Sequence, residues 1–160
     1  MQKAVFLDRD GILIRERGDY NYKEDHIEIV EGIVEALQEL KKRGYIFIVI
    51  TNQSGISKKL YTHQRVKQIH GNLKMFFAEF GVVITDFYYC PHRPEVSKCI
   101  CRKPDSLMLE KAAARFNIDI TKSYFVGDND RDIDAGIKAG IEPIRIPGNA
   151  DLREYLHLFK

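Results

Sequence analysis

The chain has 160 residues, of which 44% are hydrophobic and 30% are charged, a mixture typical of one globular domain rather than of a disordered or fibrous protein. Its 25 basic and 23 acidic side chains leave a formal net charge of +2. Because binding to nucleic acids or anionic membranes needs a basic face, this balance argues against both as partners. No apolar run is long enough for a membrane span or a signal peptide, so we expect a cytoplasmic protein, and we expect it to be a monomer.

Apolar strands alternate with amphipathic helices along the chain. In chain order, the predicted strands cover residues 3–8, 45–51, 84–89, 123–127 and 141–146, and the predicted helices cover 31–43, 62–80, 105–116 and 130–139. Thr62 is a suitable N-cap for the longest helix, and Gly44 and Gly140 stand where two others should end. The buried face of the longest helix is predicted to consist of Val66, Ile69, Leu73, Phe76 and Phe80. This alternation predicts the α/β class: a single Rossmann-like domain with a parallel sheet, helices on both faces and no large cap domain.

Chemically capable side chains follow three of the predicted strands, and a fourth set lies in the central part of the chain. In parallel sheets, ligands bind beyond the carboxyl ends of the strands, so these side chains are expected to meet at one edge. Each set alone has an ordinary explanation, such as a turn, a helix cap or a solvated surface pair, and their joint placement is what favours a functional site. The sets are Asp8–Arg9–Asp10–Gly11, Thr51–Asn52–Gln53–Ser54–Gly55, Arg102–Lys103–Pro104 and Gly127–Asp128–Asn129–Asp130–Arg131–Asp132.

Asp8 and Asp10 are the most informative pair, because two carboxylates directly after a buried strand are costly unless something neutralises them. Magnesium prefers oxygen ligands and keeps several waters, so Asp8 and Asp128 could suffice to hold it. Asp8 could then attack a phosphorus atom, while Asp10 protonates the leaving oxygen and later deprotonates water. Thr51 and Lys103 would neutralise charge on the phosphoryl oxygens, the first as a hydrogen-bond donor and the second as a point charge.

The four sets resemble the four motifs of the haloacid dehalogenase superfamily of aspartate-nucleophile phosphatases. The first motif is carried by residues 6–11, the second by 51–56, the third by 101–104, and the fourth by 126–128 together with Asp132. The resemblance covers nearly the whole chain. It is greatest to the branch that holds the D-glycero-D-manno-heptose 1,7-bisphosphate phosphatases and the phosphatase domain of histidinol-phosphatases.

This resemblance implies a role for each motif. Asp8 would be the nucleophile and Asp10 the general acid and base, and the carboxylates of Asp8 and Asp128 with the backbone carbonyl of Asp10 would bind Mg²⁺. Thr51 and Lys103 would stabilise the transferred phosphoryl group. The substrate, a small phosphorylated metabolite, would be bound by Glu16, Arg17, Gly18, Asp19, Thr51, Asn52, Gln53, Ser54, Arg102 and Lys103.

Two positions depart from the usual pattern. Residue 12 is Ile where the superfamily often has Thr, and since both side chains are β-branched we expect only local repacking. Residue 129 is Asn where heptose bisphosphatases often carry Lys, so the resemblance does not extend to a direct phosphate contact from this position.

All three cysteines lie in one segment with a histidine, between residues 90 and 101. Three thiolates and one imidazole suit a tetrahedral zinc ion with no open position, so a structural Zn²⁺ site is predicted. Ordinary buried cysteines, or a disulfide between the first two, are the alternatives, and the phosphatase branch carries the same pattern, which favours zinc. The predicted zinc ligands are Cys90, His92, Cys99 and Cys101. One phosphatase domain is therefore predicted over residues 1–160, with a zinc-binding loop at about 90–101, here called the zinc loop.

The gaps between the motifs are too short for a second domain. We therefore expect an open pocket whose walls are residues 16–20, residues 55–61 and the zinc loop. The remaining histidines are expected to be exposed or partly packed bystanders; they are His26, His63, His70 and His157.

Three functions remain open at this point. The first is removal of the 7-phosphate of D-glycero-D-manno-heptose 1,7-bisphosphate through an aspartyl phosphate, because the second motif and residues 18–20 are similar to those enzymes, and Lys58 or Lys59 could receive the second phosphate. The second is hydrolysis of histidinol phosphate in histidine biosynthesis, because the gap between His92 and Cys99 is short. The third is a non-catalytic, zinc-stapled binding module. Without a basic stripe, a phosphatase acting on nucleic-acid ends is not expected.

Overall fold

The computed structural model of the chain describes residues 1–93 and 99–160. Its strands are β1 (Lys3–Leu7), β2 (Tyr45–Asn52), β3 (Ile84–Cys90), β4 (Tyr124–Gly127) and β5 (Glu142–Arg145). Its helices are α1 (Ile33–Lys42), α2 (His63–Ala78), α3 (Leu107–Arg115) and α4 (Asp130–Ala139), with short 3-10 helices at Glu24–His26, Ile120–Lys122 and Leu152–Leu158. Every predicted strand and helix is present, and no end differs from its predicted position by more than two residues.

The five strands form one parallel sheet in the order β3-β2-β1-β4-β5. β1 lies at the centre, where Val5 is opposite Phe47 of β2 on one side and Tyr124 of β4 on the other. Central parallel strands are buried on both faces, which is why β1, β2 and β4 are continuous apolar runs. The polar residues that follow these three strands therefore meet at the same edge of the sheet.

Two hydrophobic cores lie on opposite faces of this sheet, and β1 contributes to both because its side chains alternate. Val5 and Leu7 belong to the core that α1 and α2 cover. Ala4 and Phe6 belong to the core that α3 and α4 cover. The predicted class, a single α/β domain with helices on both faces, is confirmed, and in the described residues no cap domain interrupts the elements between β1 and β5.

Local signals explain two of the helix ends. The Thr62 hydroxyl accepts a hydrogen bond from the Arg65 amide at 3.1 Å and so caps α2 as predicted, and Gly140 ends α4 with φ of 76°. The prediction that Phe80 lies on the buried face of α2 was wrong. The helix ends at Ala78, so Phe80 is 46% exposed, and Phe77 is fully buried.

None of the helices in the part of the chain that is described has both the length and the hydropathy needed to cross a bilayer. Residues 94–98, which belong to the predicted zinc loop, lie outside the described residues.

Candidate active site

A cleft of about 630 Å³ lies at the edge of the sheet where β1, β2 and β4 end. Its position follows from the topology, since the chain crosses over on either side of β1 and leaves a crevice there. Of the predicted site residues, the cleft is lined by Asp8, Asp10, Glu16, Gly18, Asp19, Thr51, Asn52, Gln53, Ser54, Arg102, Lys103 and Asp128. Arg17 is absent from this lining, because its guanidinium donates to the Asn21 side chain at 2.7 Å and to the Tyr20 carbonyl at 2.9 Å.

Lys103 lies at the centre of the acidic side of the cleft. Its ammonium is 3.1 Å from Asp8 Oδ1 and 2.6 Å from Asp132 Oδ1, and it donates to the Ile50 carbonyl at 3.0 Å. The side chain is only 3% exposed. Burial disfavours its charged form, but the charges of Asp8 and Asp132 outweigh burial and raise the pKa of Lys103. A permanent positive charge is thus held beside the carboxylate of Asp8.

Asp8, Asp128 and Asp132 together carry more negative charge than Lys103 can offset. One oxygen from each carboxylate lies within 4.8 Å of the others, and Asp132 Oδ2 is buried without a hydrogen-bond partner. Burial and the neighbouring acids raise the pKa of Asp8 to about 7, against the opposing effect of Lys103, and burial with the charge of Asp132 raises the pKa of Asp128. Hard oxygen ligands with excess negative charge fit a divalent cation such as Mg²⁺.

Two glycines leave the room that the Asp128 carboxylate needs. A Cβ on Gly11 would lie 2.3 Å from Asp128 Oδ2, and a Cβ on Gly148 would lie 2.8 Å from it. Gly11 also has φ of 90°, which other residues rarely adopt. The turn after β1 therefore needs glycine both for its backbone conformation and for the close approach of Asp128.

Asp10 lies in a different environment, although it is only two residues from Asp8. Arg9 donates to both of its oxygens, at 3.2 and 3.1 Å, while the side-chain amides of Asn21 and Gln53 donate to one oxygen each, at 2.9 and 3.2 Å. Burial disfavours the anion, but the charge of Arg9 and these hydrogen bonds together lower the pKa of Asp10. The anionic, proton-accepting form of Asp10 is the stable one in this site.

The last residues of β2 and Gln53, which follows them, connect the two sides of the cleft. Gln53 donates to Thr51 Oγ1 at 2.9 Å as well as to Asp10, and its own carbonyl oxygen accepts from the Tyr61 hydroxyl at 2.7 Å. Asn52 accepts from the Lys103 amide at 3.1 Å and donates to the Lys103 carbonyl at 3.2 Å. Predicted as a substrate contact, Asn52 thus also fixes the backbone that carries Lys103.

A further polar part of the cleft lining, here called the far wall, consists of Tyr20, Ser54, Lys58 and Arg102. The Lys58 ammonium donates to the Tyr20 hydroxyl at 2.6 Å, and that hydroxyl is 3.4 Å from the Ser54 hydroxyl. Burial disfavours the phenolate, but hydrogen bonds from Lys58 and Ser54 together with the charge of Lys58 lower the pKa of Tyr20. Arg102, also in the lining, donates to the His92 carbonyl at 3.1 Å.

The loop of residues 16–20 contributes the third part of the lining, through all its residues except Arg17. Asn149 anchors this loop, because it accepts from the Glu16 amide at 2.7 Å and donates to the Glu16 carbonyl at 3.1 Å. The Glu16 carboxylate accepts from the Gly18 amide at 2.8 Å, and the Asp19 carboxylate accepts from the Tyr20 amide at 2.8 Å. The two departures from the superfamily pattern are both accommodated: Ile12 is 1% exposed in the core, and Asn129 caps α4.

The side chains of the four predicted zinc ligands converge at the end of β3. Their ligand atoms lie within 4.8 Å of one another, and the cysteines form no disulfide. Cys90 Sγ is 3.4 Å from His92 Nδ1 and 3.6 Å from Cys99 Sγ, close to the edges of about 3.5–3.8 Å expected for tetrahedral zinc ligands. Cys101 Sγ is also 3.4 Å from His92 Nδ1, but it is only 2.7 Å from Cys90 Sγ, shorter than such an edge. The donor set fits Zn²⁺.

Several residues at the site were not predicted. His70 was expected to be a bystander, but it is 5% exposed and lies 3.3 Å from Arg9. Arg9 itself is 1% exposed, and Asn21 is 2% exposed. Period-two alternation could have indicated that Arg9 turns away from Asp8, but nothing in the sequence pairs it with His70 or Asn21.

Comparisons with known proteins agree with this arrangement. The family of haloacid dehalogenase-like hydrolases matches residues 2–140, which include all the carboxylates described above. The D-glycero-beta-D-manno-heptose-1,7-bisphosphate 7-phosphatase of Haemophilus ducreyi is 40% identical over 147 residues, covering 88% of this chain and 80% of that protein. The enzyme of the same name from Escherichia coli K12 is 37% identical over 144 residues, covering 86% of this chain and 75% of that protein.

A solved structure gives the same result at the level of the fold. The D,D-heptose 1,7-bisphosphate phosphatase from B. bronchiseptica, complexed with magnesium and phosphate, is 29% identical and has a TM-score of 0.85. The alignment covers 98% of this chain and 87% of that chain. The similarity therefore includes the cleft as well as both faces of the sheet.

Proposed function

We propose that this chain, which belongs to the haloacid dehalogenase-like hydrolases, removes the 7-phosphate of D-glycero-D-manno-heptose 1,7-bisphosphate through an aspartyl phosphate on Asp8. The observation that carries the proposal is the buried contact between Lys103 and Asp8 within the acidic cluster at the end of β1 and β4. The relatives named above, which are 7-phosphatases of the beta anomer of this bisphosphate, support the choice of substrate.

The first half of the reaction uses the acidic side of the cleft. A carboxylate oxygen of Asp8 forms a bond to phosphorus, and the bond from phosphorus to the sugar oxygen breaks. Lys103 orients the attacking carboxylate through their 3.1 Å contact and remains cationic beside the transferred phosphoryl group. Thr51 lines the cleft at the end of β2, and its hydroxyl can donate a hydrogen bond to a phosphoryl oxygen.

The carboxylates of Asp8 and Asp128, together with the Asp10 carbonyl, would hold Mg²⁺. When bound, it supplies positive charge that offsets the carboxylates and polarises a phosphoryl oxygen. The unpartnered Asp132 Oδ2 and the raised pKa of Asp8 are the features that such a charge would relieve.

Asp10 acts as general acid in the first half of the reaction and as general base in the second. Its acid form gives a proton to the departing sugar oxygen, and its anion then takes a proton from the water that attacks the aspartyl phosphate. The contacts from Arg9, Asn21 and Gln53 hold the carboxylate in one orientation and favour the anion, which is the form that accepts the proton from water in the second half.

The charge of the far wall favours a bisphosphate over histidinol phosphate. Lys58 and Arg102 place two cations in the lining, where a second phosphate of the substrate can bind. Histidinol phosphate carries an ammonium group instead, which these cations would repel, although Glu16 and Asp19 in the same lining would attract it. Hydrolysis of histidinol phosphate is therefore the second candidate function.

The proposal also covers the extent of the domain, the zinc site and the place where the protein acts. One phosphatase domain spans residues 1–160, and a structural Zn²⁺ held by the Cys/His cluster fixes the segment that leads to Arg102 and Lys103. The protein acts in the cytoplasm as a monomer on a small metabolite, and it needs neither nucleic acid nor a membrane. The Arg102 contact with the His92 carbonyl supports this role for the zinc loop.

A comparison of substrates tests the proposal. With Mg²⁺ present, kcat/KM for both anomers of the heptose bisphosphate should exceed that for histidinol phosphate. Lys58→Met should lower kcat/KM for the bisphosphate and leave that for a sugar monophosphate unchanged. Lys59→Met is the matched control, because Lys59 is exposed and does not belong to the cleft lining. A preference for histidinol phosphate would overturn the choice of substrate.

A further inference from the structure

His70 lies behind Asp10, on the side away from the cleft. It belongs to α2, is 5% exposed, and stacks on Phe87 of β3 with ring centroids 4.5 Å apart and planes 15° apart. Its Nε2 atom is 3.3 Å from Nη1 of Arg9, whose other nitrogens hold the Asp10 carboxylate. The imidazole thus touches the residue that orients Asp10 without touching the cleft itself.

The direction of the hydrogen bond between His70 and Arg9 is fixed by chemistry. A guanidinium can only donate, so Nε2 of His70 must accept, and the single proton of the neutral imidazole must be on Nδ1. Burial and the charge of Arg9 lower the pKa of His70 to about 3, against the opposing charge of Asp10. The ring therefore stays a neutral acceptor at any pH where the enzyme would work.

Arg9 has little freedom to replace this partner. It is 1% exposed, so its donors need acceptors from the protein. Nε and Nη2 are directed at Asp10, Nη2 also donates to the Asn21 carbonyl at 3.3 Å, and Nη1 is directed at His70. Without an acceptor at position 70, a buried charged donor is left unsatisfied, and the guanidinium must rotate or admit water.

We propose that His70 is a positioning residue for proton transfer: by accepting from Arg9 it fixes the guanidinium plane, and the guanidinium in turn fixes the carboxylate of Asp10. The inference deepens the proposed function and rests on it, since it requires that Asp10 protonates the departing sugar oxygen. A side chain that only fills space beside Phe87 would support the fold equally well but would leave Asp10 less well oriented.

Three variants separate the acceptor from the packing. His70→Phe keeps a ring beside Phe87 but removes the acceptor, whereas His70→Gln supplies a carbonyl oxygen that can accept from Arg9. His63→Ala is the matched control, because His63 is on the same helix and its ring bonds the Tyr89 hydroxyl, at 3.0 Å, rather than Arg9. Should the phenyl ring not fit, His70→Leu is a second variant without an acceptor.

Two substrates distinguish a defect in protonation of the leaving group from an overall loss of activity. A sugar phosphate has a strongly basic leaving oxygen that must be protonated, whereas p-nitrophenyl phosphate releases a weakly basic phenolate that need not be. The quantity to compare is kcat/KM, since it reports the steps up to departure of the leaving group. All proteins are measured with saturating Mg²⁺, and thermal unfolding confirms that each variant is folded.

His70→Phe should lower kcat/KM for the sugar phosphate about tenfold and that for p-nitrophenyl phosphate less than about twofold. His70→Gln should recover most of the loss, and His63→Ala should behave as the unaltered enzyme. Equal losses on both substrates, or a Gln variant as impaired as the Phe variant, would overturn the inference. An unaltered enzyme that hydrolyses neither substrate would instead refute the proposed function, so the two failures are distinguishable.

Discussion

Asp8 and Asp10 are two residues apart after the same strand, yet their surroundings differ in almost every respect. Asp8 shares one buried ammonium with Asp132 and lies near Asp128, so negative charge accumulates and its pKa rises to about 7. Asp10 receives four hydrogen bonds from cationic and neutral donors, and its pKa falls. Identical side chains are thus given opposite properties by what faces them.

The difference shows which carboxylate can do which chemistry. A carboxylate crowded by other acidic groups gains from binding a cation and a phosphoryl group, as a nucleophile must, whereas one held by several donors is fixed in position and can exchange protons reproducibly. The crowding of acidic groups around Asp8 therefore fits the proposed nucleophile, and it should carry a cost in stability.

The largest effect is expected from Asp8→Asn. The variant should lose about 10⁴-fold or more in kcat, because the carboxamide cannot attack phosphorus. In the absence of Mg²⁺ its free energy of unfolding should rise by about 1–2 kcal/mol, because one of the crowded negative charges is removed. Steady-state kinetics and urea unfolding measure the two effects. Activity that survives, or stability that falls, would remove the contrast between the two aspartates.

Asp10→Asn tests the other side of the contrast. We expect kcat/KM for a sugar phosphate to fall by about 10²–10³-fold, because protonation of the leaving oxygen is lost, and kcat/KM for p-nitrophenyl phosphate to fall far less. Stability should change little or decrease, since a well-paired anion is removed. A loss of equal size on both substrates would show that Asp10 does not protonate the leaving group.

Asn52→Ala examines how Lys103 is held beside Asp8. The variant removes both hydrogen bonds between the Asn52 side chain and the backbone of Lys103, so we expect a loss of about 1–2 kcal/mol in stability together with a lower kcat. Gln38→Ala is the control, because it removes one exposed hydrogen bond to the Phe80 carbonyl. If both variants lost the same stability and neither lost activity, Asn52 would not position Lys103.

The smallest effect concerns pH and His70. Its pKa is about 3 in the folded protein and about 6.5 when unfolded, so between these values the unfolded chain binds more protons and stability falls as pH falls. The raised pKa of Asp8 acts in the opposite sense in this range, so the His70 effect is measured as a difference: between pH 6.5 and 5.5 the unaltered protein should lose about 1 kcal/mol relative to His70→Gln in urea unfolding, because Asp8 titrates in both proteins. The facing groups are Arg9, Asp10, Phe87 and Tyr89. The same pH dependence in both proteins would contradict it.

The fold and the acidic side of the cleft could be predicted from the sequence for a physical reason. Apolar runs of strand length and helical periodicities are local signals, and the parallel sheet brings the ends of β1, β2 and β4 together. Family membership, predicted from four motifs, is confirmed by the match over residues 2–140. Phe80 was misplaced because periodicity continues past the residue where α2 stops.

The surroundings of Asp10 could not be predicted in the same way. Arg9 lies inside the first motif, but its partners Asn21 and His70 come from a loop and from the middle of α2. The contacts of Asn21 and His70 with Arg9 depend on how the loop and α2 pack against β1. The spacing of these residues in the sequence does not predict that packing. The same holds for Arg17, whose side chain supports the loop instead of lining the cleft.

The most direct test asks whether phosphorus becomes attached to Asp8. The Asp10→Asn enzyme, mixed with p-nitrophenyl phosphate and Mg²⁺, should form the aspartyl phosphate but hydrolyse it slowly, because the base is missing. Rapid quenching followed by borohydride reduces an acyl phosphate to an alcohol, and peptide mass spectrometry locates it. We predict homoserine in place of aspartate at position 8. Release of nitrophenol with position 8 unaltered, or with another residue modified, would contradict the account.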